Sequence, residues 1–301
     1  KQAGAMLALG FVIAWSNVDS INIELGSDLC EDCVKVLVKQ MDKAEDESSL
    51  SAAIALGYIS CCAGPQYFAR IIWESNGCAS DHDVEMKMNE NDNLMEIFEK
   101  YKPLLKSKDT RIAIRSVFAC SLFAWGCKDR NLSESVVKVL TELATVKNEE
   151  LHLGVGEALA TLFAGPVKTK QQLLCSSQNL SFSSQVSIVA ADRAARSRED
   201  SLIFYSSLIQ DYPWQSDLQS SILSSIIDEH IFSSREEIRQ AACGWLVSLF
   251  SMHGSNPQLE PKLPEIQEIL SYLLGDPNEI TQEIASYGMS ILYDVGGPET
   301  R

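Results

Sequence analysis

The chain is 301 residues long, 46% hydrophobic, with a formal net charge of -16 and nine cysteines. That length and composition exclude a disordered tail and leave room for one large core or two domains. The negative charge argues against nucleic acid or an anionic membrane surface as partner of the whole chain, and no apolar run is long enough for a membrane span.

Taken in order, the chain repeats one kind of helix. Residues 3–13 read A-G-A-M-L-A-L-G-F-V-I. The same mixture of small residues and bulky apolar ones returns at 51–60 (S-A-A-I-A-L-G-Y-I-S), 115–125 (R-S-V-F-A-C-S-L-F-A-W) and 154–163 (G-V-G-E-A-L-A-T-L-F). It recurs again at 238–250 (I-R-Q-A-A-C-G-W-L-V-S-L-F) and 282–293 (Q-E-I-A-S-Y-G-M-S-I-L-Y). In the fifth window Ile238, Ala241, Ala242, Trp245, Leu246 and Leu249 fall on one helical face. One small residue from each window, Ala8, Ala55, Ala119, Ala158, Ala242 and Ala285, gives spacings of 47, 64, 39, 84 and 43 residues. A period of roughly 40–47 residues is that of two-helix solenoid repeats.

A second amphipathic helix precedes most of these windows, at 29–41, 94–105, 132–146, 218–231 and 263–274. The expected fold is all-α, an α-α superhelix of HEAT/armadillo type with about six to seven helix-pair repeats. One solenoid over 1–301 divides approximately into repeats 1–26, 27–64, 94–127, 132–165, 200–252 and 258–297. An acidic insertion at about 78–93 and a Ser-rich loop at about 175–200 interrupt it. Ser233 with Glu236, Asp276 with Pro277 and Glu279, and Asn131 with Glu134 read as helix starts. Gly64-Pro65, Gly165-Pro166 and Gly297-Pro298 read as stops. No stretch reads as a strand. In this scheme Ala and Gly line the close approaches between stacked pairs, and larger residues fill a core that no single pair can bury alone.

Catalytic chemistry is hard to place on such a chain. Cys30 and Cys33 lie a helical turn apart without a second metal-ligand pair or a βαβ context. The odd count of cysteines in apolar helical patterns fits free thiols in a reducing compartment. His82, His152, His230 and His253 are scattered. Gly154 and Gly156 lack the third glycine and the preceding strand of a dinucleotide loop. Asn89 to Asn93 resembles a calcium loop only at its start; it reads as the end of an acidic loop leading into the helix from Leu94. Asn131 and Asn179 head glycosylation sequons that matter only in a secreted protein. Tyr212 and Trp214, in D-Y-P-W-Q, offer two readings, a partner contact or a tuck onto the neighbouring repeat. No catalytic, cofactor-binding or metal-binding residue is assigned, no cofactor is expected, and the chain is expected not to be an enzyme.

The wording of residues 237–296 is more specific than its rhythm. E-I-R-Q-A-A-C-G-W-L-V-S-L-F, then L-P-E-I-Q-E-I-L-S-Y-L-L, then E-I-T-Q-E-I-A-S-Y-G-M-S-I-L-Y-D-V-G, resembles the proteasome adaptor and scaffold family of very large HEAT-repeat proteins. The resemblance covers the last quarter of the chain; upstream only the repeat rhythm continues it. It implies a non-enzymatic adaptor that tethers the proteasome core and regulatory particles, supports proteasome assembly or quality control, and works in cytoplasm and nucleus. It also implies that this chain is an internal fragment, with the rest of a longer chain as neighbour at both ends. The start at Lys1, without Met and within an apolar helical pattern, fits that expectation. An importin-type transport receptor and a regulatory scaffold for a phosphatase or kinase are the alternatives at fold level.

Overall fold

The computed structural model describes residues 2–16, 27–42, 46–64, 68, 90–166, 214–254 and 256–295. Among them are eleven α-helices and no strand. They are α1 (Gln2–Ser16), α2 (Ser27–Met41), α3 (Glu47–Ala63), α4 (Glu90–Leu105), α5 (Thr110–Cys127) and α6 (Arg130–Glu142). They continue as α7 (Glu149–Ala164), α8 (Gln215–Ser224), α9 (Glu236–His253), α10 (Leu263–Leu273) and α11 (Glu279–Val295). A π-helical turn, Ser225–His230, extends α8. All six small-residue windows fall within these elements, and the five preceding helices match α2, α4, α6, α8 and α10, although 132–146 runs past α6 through a 3-10 turn at Leu143–Thr145 and residues 231 and 274 lie just beyond the elements expected to hold them. The all-α, helical-repeat class read from the sequence is the class observed. Most of the acidic insertion, the Ser-rich loop and Gly297-Pro298 lie outside the described residues.

The chain divides into two compact units, one built on α1–α5 and the other on α7–α11. In the first, α3 packs between α1 and α5, while α2 lies on α3 and α4 on α5. The core helix α3 is set by its ends: the Asp46 carboxylate accepts from the N–H groups of Ser48 and Ser49 at 2.9 and 2.8 Å, and Gly64 leaves the helix at φ 69°. Every residue from Ser49 to Cys61 is buried. A helix apolar all round can sit only inside a stack, which is where the neighbours on both sides place it. Tyr101 on α4 donates its hydroxyl to the Ala53 carbonyl at 2.8 Å, and its ring stacks on Phe123 of α5.

In the second unit α9 packs between α7 and α11, with α10 on α11. Gln219 on α8 donates to the Phe163 carbonyl at 2.6 Å and so binds α8 to the end of α7. Gly165 ends α7 at φ 89°.

The small residues lie where the long helices meet. A Cβ on Gly57 would lie 2.8 Å from the Ala119 carbonyl oxygen, one on Gly10 2.7 Å from the Ala55 Cα, and one on Gly156 2.6 Å from the Ser248 Oγ. Five of the six reference alanines are buried, but Ala8 is exposed and Gly10, two residues on, makes the close approach instead.

Two glycines on helices should therefore respond oppositely to alanine. A Cβ at Gly4 meets nothing within 4 Å, so Gly4→Ala should stabilise by roughly 0.5–1 kcal/mol through helix propensity. A Cβ at Gly126 would stand 2.5 Å from the Cys61 backbone nitrogen, an atom that moves only if α3 and α5 separate. Gly126→Ala should cost about 1–3 kcal/mol in chemical denaturation. Equal shifts for the two variants would mean that the close approach does not control packing.

Three helix starts differ from those read in the sequence, two of them because another side-chain oxygen accepts from the open N–H groups. For α11 the cap is Asn278, whose side chain accepts from Ile280 N at 2.9 Å and Thr281 N at 3.3 Å; Asp276 and Pro277 precede the helix. For α6 it is Asp129, which accepts from Leu132 N at 2.7 Å. At α9 the Ser233 hydroxyl accepts from Arg235 N at 3.3 Å, before the helix begins. The Ser233 carbonyl is meanwhile held by the Arg239 guanidinium at 2.8 Å, so Ser233 makes a turn rather than a capping box.

Candidate partner-binding surface

The chemistry-bearing residues singled out in the sequence are mostly used for packing. Cys30 is buried and Cys33 half-buried, both as free thiols. Burial, with Cys30 and Asp32 nearby, pushes the Cys33 thiol up, the opposite of what a reactive cysteine requires. Cys127 is pushed up to about 12 by burial, partly offset by its hydrogen bond with Ser60, and Cys61 donates to the Leu122 carbonyl. Glu90 to Asn93 form the first turn of α4, so the helix starts four residues earlier than the leading loop expected there. Gly156 is a helix-packing residue. His152 bonds the Val146 carbonyl, His230 the Ser225 carbonyl, and the His253 ring lies beside Phe163. Among the described residues no three His, Cys, Asp or Glu side chains are grouped to hold a metal ion, and no helix is long and apolar enough to cross a membrane.

Of the two aromatic residues proposed for partner contact, Tyr212 lies outside the described residues. Trp214 is half-buried at the start of α8, where its carbonyl accepts from Leu218 N at 3.1 Å. The adjoining Gln215 side chain donates to Phe163 O at 3.3 Å.

A different aromatic pair faces solvent. Phe232 follows the π-helical turn and Tyr272 lies near the end of α10; they are 57% and 60% exposed, with ring centroids 5.5 Å apart. The backbone below is locked by Arg239 on α9. Its guanidinium donates to the Asp276 carboxylate at 2.6 and 3.2 Å and to Ser233 O at 2.8 Å, joining the segment beside Phe232 to the one beside Tyr272. Burial pushes the Asp276 carboxyl up, and hydrogen bonds from Arg239 and the Asn278 N–H more than offset it, holding the group below the usual carboxylate range. The sequence carried a signal for this pair: Tyr272 falls outside the buried register Leu263, Ile266, Ile269, Leu270, Leu273.

Stacked helix pairs of this kind define an α-helical repeat protein of the HEAT/armadillo class, the architecture of binding scaffolds. No family model matches the chain. It is similar to the proteasome adapter and scaffold protein ECM29 of Homo sapiens, at 23% identity over 314 aligned residues that take in 99% of this chain and 15% of that protein. It is also similar to the proteasome component ECM29 of Saccharomyces cerevisiae, at 31% identity over 83 residues, 26% of this chain and 4% of that one. The resemblance carried by residues 237–296 thus extends over nearly the whole chain. The chain spans a small part of the length of either relative. Among solved structures it is similar to a designed armadillo repeat protein (TM-score 0.41, 15% identity, covering 96% of this chain and 92% of that one). It is also similar to an archaeal HEAT-like repeats protein from Thermococcus onnurineus NA1 (TM-score 0.30, 14% identity, covering 96% and 97%).

Proposed function

We propose that the chain is part of a non-enzymatic adaptor that binds the proteasome, tethers its core and regulatory particles, and supports their assembly or quality control in cytoplasm and nucleus. The observation that carries this reading is the similarity to the human proteasome adapter and scaffold protein along 99% of the chain. The physics of the fold supports it. Each helix pair touches only its neighbours, so such a scaffold bends with little loss of local packing and can hold two bodies that move.

The test is capture by the immobilised 301-residue chain of purified core particle, purified regulatory particle, and the two together. Retention of each alone, with more of both when mixed, is the expected result. Retention of one particle alone would leave proteasome binding and remove tethering. Retention of neither, by a chain that remains helical, would overturn the proposal.

A further inference from the structure

We propose that the exposed Phe232–Tyr272 pair is a docking surface for a basic, arginine-bearing segment of a protein partner. The inference goes beyond the adaptor reading and does not depend on which assembly the chain serves. Two large rings more than half exposed and 5.5 Å apart form an apolar surface that nothing among the described residues covers.

The occupant is set by charge. Positions 214–295 hold twelve carboxylates and three cations. All three cations are already paired within that segment: Arg235 with Glu237, Arg239 with Asp276 and Lys262 with Glu265. Around the rings the remaining carboxylates are exposed. Asp228 and Glu229 precede Phe232 by four and three residues, and Glu268 stands one turn before Tyr272 on α10. Asp228 also acts electrostatically on Lys262 at the foot of α10, which places it toward the Tyr272 helix. A second copy of this acidic chain or a polyanion would be repelled.

A guanidinium suits both halves of the surface. It stacks on Phe and Tyr faces and, in the same pose, donates to carboxylates through its edge, whereas an ammonium does only part of this. The partner is therefore an extended segment with spaced arginines, gripped by the rings and oriented by the surrounding carboxylates.

The experiment is fluorescence anisotropy with the 301-residue chain and dye-labelled Arg-Ser repeat peptide, beside Lys-Ser and Glu-Ser peptides of equal length. The Arg-Ser peptide should bind, the Lys-Ser peptide more weakly, and the Glu-Ser peptide not at all. Phe232→Ala with Tyr272→Ala should weaken Arg-Ser binding roughly fivefold or more without loss of helicity, since both rings are exposed. Asp228→Asn with Glu268→Gln should weaken it and flatten its salt dependence. Asp32→Asn with Glu96→Gln, the same charge change on α2 and α4, should leave it unchanged. No binding of the Arg-Ser peptide, binding that survives loss of both rings, or equal weakening by the α2/α4 control would each overturn the proposal. Failure of proteasome capture with peptide binding intact would remove the adaptor reading and leave this one standing.

Discussion

Trp245→Ala should lower the stability of the α7–α11 unit by about 3–5 kcal/mol, the largest effect expected of any single side chain here. Trp245 is fully buried at the middle of α9. Its indole N–H donates to the His152 carbonyl of α7 at 2.9 Å, and its ring lies 5.6 Å from that of His230, at the end of the π-helical turn. Its own backbone stands so close to α7 that a Cβ on Gly156 would be 3.2 Å from the Trp245 Cα. The side chain thus joins α9 to α7 and to the π-helical turn. Trp245→Phe separates the two contributions. It keeps most of the apolar volume and removes the hydrogen bond, worth about 1 kcal/mol. Urea denaturation gives the totals, and amide exchange in α7 and α9 should accelerate together in Trp245→Ala. A loss below about 1 kcal/mol for Trp245→Ala would mean that the ring is not a keystone of the unit.

The legible and illegible parts of this chain divide along physical lines. Window 238–250 was readable as α9 because Trp245, Leu246 and Leu249 repeat with the helical period and because Ala241, Ala242 and Gly244 leave no other reason for so many small residues. Gly64 and Gly165 were readable as stops because only their backbone freedom suits the positive φ that ends α3 and α7. The caps were not readable to the residue. Asp276 and Asn278 are both capable acceptors, and the choice between them depends on Arg239, thirty-seven positions before Asp276, which engages the carboxylate and leaves the amide to the helix. The proposed surface was missed for a related reason. Trp214 and Tyr212 drew attention as aromatics beside a proline, whereas Phe232 and Tyr272 are forty positions apart in sequence and become a pair only when α10 is laid beside the end of the π-helical turn. Period shows which face of a helix is buried; it does not show which off-face residues from two helices meet in solvent.

Arg239→Ala should be the second most damaging change and should also disturb the aromatic surface. The Asp276 side chain is 3% exposed, so removing its partner leaves an uncompensated carboxylate in the interior. Breaking a buried pair costs about 3–5 kcal/mol; Arg239 keeps 13% of its side chain in water, which puts the expectation near the lower end, about 3 kcal/mol. Arg239→Met with Asp276→Leu, which removes both charges and keeps volume, should recover most of that loss. Acid titration gives an independent reading. Asp276 titrates below the usual carboxylate range in the fold and near 3.9 when unfolded, so between those values the unfolded chain binds more protons. The stability the pair contributes is therefore full above the unfolded value and falls as pH drops through the folded one. In Arg239→Ala the sign should reverse: a buried carboxyl without its cation is pushed up past its unfolded value, so the folded variant binds more protons and part of its lost stability returns as pH falls. The same guanidinium holds Ser233 O, next to Phe232, so Arg239→Ala should also weaken Arg-Ser peptide binding although it touches neither ring. The Met/Leu double variant separates the two roles. It should recover stability but not peptide affinity, because it restores packing without restoring the bond that fixes the Phe232 segment. Recovery of both together would mean that the clamp stabilises the unit and does nothing to position the rings.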